Sequence, residues 1–150
     1  MKSRSLWFGQ ARQIELREEE LGSPGDHDIL VAALYSGISH GTEMLVYRGE
    51  APRYLTVDPS VDTMEGSFGF PIKFGYSSVG QVAKRGPGVT GLRCGDTVFV
   101  HHPHQSHYVV PQQLAFKLPP NLSPVLGVFA SNLETAVNCL HDADIKLGDV

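Results

Sequence analysis

The chain has 150 residues, 41% of them hydrophobic and 19% charged, enough for one domain that buries a core without disulfide staples. A formal charge of −4 leaves no basic surplus for neutralising phosphates, which argues against a nucleic-acid or anionic-membrane surface. Two cysteines, Cys94 and Cys139, are too few for a disulfide framework, and no signal-like or membrane-spanning apolar run follows Met1, so reduced, small hydrophobic cysteines and a cytoplasmic location are expected.

Residues 5–8 and 13–17 read as two short strands, with Gly9-Gln10-Ala11 as the hairpin signal between them. Glu18, Glu19 and Glu20 form an acidic run expected to be solvated, and residues 22–26 have the turn chemistry of a loop. The apolar run 29–35 reads as a buried central strand. It leads into Ser36-Gly37-Ile38-Ser39-His40-Gly41-Thr42-Glu43, which places polar side chains at a strand end, where a scaffold offers chemistry. The structural alternative is a polar turn in which Thr42 or Ser39 caps a helix beginning near Glu43.

Residues 49–73 hold no period for more than a few positions and carry Pro52, Pro59, Pro71, Gly66 and Gly69; a substrate-side lid or a disordered loop is expected. Residues 78–83, 97–100, 107–110 and 114–118 read as further short strands separated by turns, which predicts a closed or partly closed barrel. Ser123 is an N-cap candidate with Pro124 at the first helical position. From there a single helix is expected to run to Asp142, with Val125, Phe129, Leu133, Ala136 and Leu140 on one apolar face. His101, His102, His104 and His107 could chelate a divalent ion, since imidazole suits zinc, copper or nickel; adventitious nickel binding is the alternative.

Four segments in order resemble the medium-chain dehydrogenase/reductase superfamily, the zinc alcohol dehydrogenases. Tyr35-Ser36-Gly37-Ile38-Ser39-His40-Gly41-Thr42-Glu43 is similar to the family's Gly-Ile-Cys-Gly-Ser-Asp segment, and closer to the form in its bacteriochlorophyllide dehydrogenase-like branch. Phe74-Gly75-Tyr76-Ser77-Ser78-Val79-Gly80-Gln81-Val82 resembles Gly-His-Glu-x-x-Gly-x-Val, Gly95-Asp96-Thr97-Val98 the Gly-Asp-x-Val turn, and Asn132-Leu133-Glu134-Thr135-Ala136 the Thr-Ala helix. The resemblance implies a mainly β fold, a GroES-like partly open barrel with a C-terminal α-helix, and an NAD(P)-dependent oxidoreductase acting on a carbonyl, alcohol or activated alkene. It also implies that a cofactor-binding Rossmann domain would begin at about residue 148, absent from this chain, so that the fragment alone would be inactive.

At the family's zinc-ligand positions this chain has His40 or Ser39 for the first cysteine, Tyr76 for the histidine, Ser77 for the glutamate and Ser131 for the last cysteine, so no zinc is expected. The catalytic candidates implied are Thr42 at the proton-relay position, His40 relaying to solvent and Tyr76 donating to a developing oxyanion. Asn132 and Thr135 are the implied nicotinamide contacts. The expected partners are a small-molecule substrate and the chain's own Rossmann domain, with a homo-oligomer possible. Two other readings stay open: a non-enzymatic GroES-like binding or assembly module, and a metal-binding module built on the histidine run.

Overall fold

The computed structural model describes residues 1–52 and 68–143. The chain begins with a hairpin of β1 (Lys2–Gln10) and β2 (Gln13–Glu20), paired antiparallel with Leu6 opposite Leu16 and Phe8 opposite Ile14. Arg12 turns the corner with φ 62°. β3 (Asp28–Ser36), β4 (Ser78–Arg85), β5 (Thr97–Val100), β6 (His107–Pro111) and β7 (Ala115–Lys117) form an antiparallel sheet in the order β6-β3-β4-β5-β7. Register shifts in the β3–β4 pairing bend this sheet into a partly open barrel. Gly80 permits the tightest approach there, because a Cβ on it would lie 2.5 Å from the carbonyl oxygen of Ala32.

The barrel interior is filled by the β-branched and aromatic side chains that alternate along these strands, among them Ile29, Val31, Val82, Val98, Val100, Tyr108 and Val110. A second cluster, Phe8, Val46, Ile72 and Phe74, ties β1 to the helix α1 (Thr42–Arg48) and to the segment before β4. The hairpin is knitted to the chain entering β6: Leu6 N–H donates to His104 O at 2.9 Å, and Ser106 N–H to Arg4 O at 2.8 Å. Small side chains make this crossing possible, since Ser3 and Ser5 are fully buried and Ser3 Oγ donates to His107 O at 2.6 Å.

Several expectations need correction. Gly41, not Thr42 or Ser39, holds the N-cap position of α1, and Ser39 serves the helix from two residues further back: its Oγ accepts the Thr42 N–H at 3.2 Å, and its N–H donates to Glu43 Oε1 at 3.1 Å. The expected single helix is two, α2 (Pro124–Gly127) and α3 (Ala130–Asp142); Ser123 holds the anticipated N-cap position of the first, ahead of Pro124, but makes no side-chain cap bond. The break is packed onto the sheet, where Ser77 Oγ donates to Val128 O and a Cβ on Gly127 would strike Leu118. The apolar face of these helices is periodic but exposed at Val125, Phe129, Leu133 and Leu140. Both cysteines are free, and both are exposed rather than packed as hydrophobes.

The acidic run is not uniformly solvated. Glu19 accepts hydrogen bonds from Ser5 Oγ, Trp7 Nε1, Lys73 Nζ and Gln105 Nε2. Burial pushes its carboxyl pKa up, but the bonds from Ser5, Lys73 and Trp7 outweigh this and hold it below the usual value. The expected lid falls largely on residues 53–67, outside the described residues. Among the described residues no helix is long and apolar enough to cross a membrane.

Candidate functional site

Three elements bring together side chains that lie far apart in sequence. Ser36 is the last residue of β3, Glu43 sits in the first turn of α1, and His104 belongs to the loop between β5 and β6. His104 Nε2 lies 2.7 Å from Glu43 Oε2, and His104 Nδ1 lies 2.7 Å from Ser36 Oγ. Glu43 is 2% exposed and His104 8%, so these two partners are shielded from solvent, whereas Ser36 is exposed. An ionised carboxylate only accepts, so Nε2 carries a hydrogen; a neutral ring then accepts the Ser36 hydroxyl at Nδ1.

The surrounding backbone is shaped to this pair. Gly75 has φ 142°, and a Cβ there would lie 2.8 Å from His104 Nε2, so this position leaves room for the imidazole. The peptide of His104 is fixed by the bond from Leu6 N–H, and Glu43 shares the inner side of α1 with buried Val46.

A cavity of about 270 Å³ opens on the pair, lined by Leu6, Phe8, Ile38, Met44 and Tyr47 together with Glu43 and His104. A second, of about 360 Å³, lies against Ser36 and has a more polar wall that includes Arg4, Gln105 and Ser106. His104 borders both.

The residues anticipated from sequence have separate surroundings. His40 and Thr42 are exposed on the turn into α1. Tyr76 is half-buried, its ring edge-on to Phe74 with centroids 6.5 Å apart. Asn132 and Thr135 are exposed on α3, where Thr135 Oγ1 donates to Ser131 O at 3.1 Å.

The histidine run is likewise dispersed. His101 Nδ1 lies 3.1 Å from Tyr76 O, His102 stacks on Tyr108, His104 joins Glu43, and His107 Nδ1 lies 3.3 Å from Ser106 Oγ. Among the described residues no three His, Cys, Asp or Glu side chains come together as a metal-binding group.

Glu43 lies in the first of the resembling segments and His104 in the histidine run, but nothing in the sequence joins them. No spacing signal could, since they are 61 positions apart.

Gly86, Gly88 and Gly91 have the spacing of a dinucleotide-binding turn. They instead connect β4 to β5, which pair antiparallel with no helix between them, so they supply no helix N-terminus for a pyrophosphate.

No family model matches the chain. It is 30% identical over 143 residues to the 2-desacetyl-2-hydroxyethyl bacteriochlorophyllide A dehydrogenase of Cereibacter sphaeroides, covering 95% of this chain and 38% of that protein. Its fold superposes on an Escherichia coli oxidoreductase/dehydrogenase of unknown specificity with a TM-score of 0.75, at 17% identity, over 99% of this chain and 49% of the other. A short chain alcohol dehydrogenase from E. coli CFT073, complexed with NADH, matches with a TM-score of 0.70 at 19% identity, over 91% and 44%. The chain thus spans less than half the length of each of these proteins. With the ordered motifs, the partly open barrel and these relatives agreeing, the chain belongs to the medium-chain dehydrogenase/reductase superfamily and has the fold of its GroES-like domain.

Proposed function

We propose that this chain is the substrate-binding barrel of a zinc-independent, NAD(P)-dependent oxidoreductase that moves hydride between a nicotinamide and a carbonyl, alcohol or activated alkene. The observation that carries this reading is the apolar cavity with a buried carboxylate–imidazole pair in its wall. A concave apolar site with a few convergent polar groups is the usual form of a small-molecule site. The nicotinamide, when bound, supplies or takes the hydride, and the protein orients the substrate and moves the proton.

The resemblance implies Thr42, His40 and Tyr76 for the proton and oxyanion roles, but none of the three lines the cavity, whereas Glu43 and His104 do. Asn132 and Thr135 meet the nicotinamide from α3. Zinc does not fit the donor set: His40, Tyr76 and Ser131 offer a single imidazole, and the Tyr76 ring packs against Phe74. No step is assigned to a metal.

A dinucleotide gains most of its affinity from a pyrophosphate seated at a glycine-rich helix N-terminus, and the described residues provide none. Calorimetric titration of NADH and NADPH into this chain is therefore expected to give a Kd of about 1 mM or weaker, which is about 4 kcal/mol of binding. Micromolar binding, or turnover of a carbonyl compound by this chain alone, would overturn the reading.

A further inference from the structure

Both ring nitrogens of His104 are bonded, and their partners belong to different cavities. Nε2 meets Glu43, in the wall of the apolar cavity, and Nδ1 meets Ser36, in the wall of the more polar one. The three side chains make a continuous path from a carboxylate that is 2% exposed to a hydroxyl at the surface, through two contacts of 2.7 Å. An imidazole suits such a path because it can take a proton at one nitrogen and release one at the other.

The geometry points to Ser36, His104 and Glu43 as a proton relay between solvent and a substrate oxygen held in the apolar cavity. This rests on the oxidoreductase reading above and deepens it. In the reductive direction a bound reduced nicotinamide would supply hydride to the substrate carbonyl carbon. The ionised Glu43 carboxylate takes the Nε2 proton of His104 and passes it to the carbonyl oxygen, Nδ1 takes the hydroxyl proton of Ser36, and Ser36 recovers one from water, which leaves as hydroxide. Oxidation of an alcohol runs the same transfers in reverse. Glu43 is the catalytic residue here, while His104 and Ser36 act through it.

The cavity also limits the substrate class. Leu6, Phe8, Ile38 and Met44 surround the pair, so the ligand is a small apolar carbonyl or alcohol whose one oxygen reaches Glu43. A purely structural ion pair would need no exposed hydroxyl on the far nitrogen. Of the other ionisable groups close by, Lys73 and Glu19 both bond Gln105, the residue after His104, and Lys73 also bonds Glu19.

Histidine-selective 15N NMR on the labelled chain tests the relay, with cyclohexanone as the cavity probe. Cyclohexanone is expected to shift the His104 ring signals, and Ser36→Ala to slow exchange of the His104 ring proton with water several-fold while the chain stays folded and still binds the probe. Glu43→Gln should abolish the cyclohexanone shift at His104; if that variant does not fold, Ser36→Ala decides alone. Unchanged exchange in Ser36→Ala, or probe shifts that bypass His104, would overturn the relay. These signals need no cofactor, so they are read independently of the calorimetry that tests the oxidoreductase reading.

Discussion

His102 lies flat on Tyr108, with ring centroids 3.8 Å apart and ring planes 11° from parallel. Both are buried in the barrel, where Tyr108 Oη donates to Ser78 Oγ at 2.9 Å. Burial pushes the tyrosine hydroxyl up to about 12, against the opposing bond to Ser78. The same burial pushes the imidazole down to about 4, although its bond with Pro103 O pulls the other way.

Stability should therefore fall in mild acid. The folded-state value for His102 lies below the 6.5 of a free histidine, so between these values the unfolded chain binds the extra proton. The full contribution is present above 6.5 and is lost as pH drops towards 4, by about 3 kcal/mol. Urea midpoints measured across that window check this. His102→Phe keeps an aromatic stack without a titrating group and should flatten that part of the profile; an unaltered profile would show that another group dominates.

Gly75→Ala should displace His104 from Glu43. The new methyl would sit 2.8 Å from Nε2 at a backbone φ of 142°, so both the contact and the conformation resist it. A loss of about 1–3 kcal/mol is expected. Thermal denaturation measures the loss, and the His104 ring resonances report the displacement. Wild-type resonances with wild-type stability would contradict the packing described here.

Glu19→Ala should disturb Trp7, the single tryptophan of the chain. Trp7 Nε1 donates to Glu19 at 3.1 Å, and Arg17 lies 4.6 Å from the ring centroid. Removing the carboxylate leaves Lys73 and Gln105 without a shared acceptor and should cost about 1–3 kcal/mol. Trp7 emission is expected to shift, whereas Glu20→Ala, at an exposed position, should leave both emission and stability unchanged. Equal effects of the two substitutions would remove Glu19 from its special position.

Zinc should be absent from the untagged, dialysed protein at His40. One imidazole with two hydroxyl groups cannot replace three good donors. Anomalous scattering at the zinc edge is the measurement, and a strong peak within bonding distance of His40 would contradict the zinc-independent reading.

The strand positions were legible along the sequence because alternation and turn residues are local properties. Residues 29–35 and 97–100 became β3 and β5, and the strand read at 13–17 runs on to Glu20. The helical period from Pro124 onwards was legible too, but a period records only which side chains share a face. That the helix breaks at Val128 was decided by Gly127 and by the bond from Ser77, which no local pattern encodes. The acidic run and the histidine run show the same division. Four neighbouring histidines entered four different surroundings, and Glu19 alone of its run turned inward: His101 meets Tyr76 O, His104 meets Glu43 and Glu19 meets Lys73, all distant in sequence. The pairing of Glu43 with His104 was decided by tertiary structure alone, through the crossing of β1 over the loop before β6, a helix-borne acid and a glycine that leaves room for the ring.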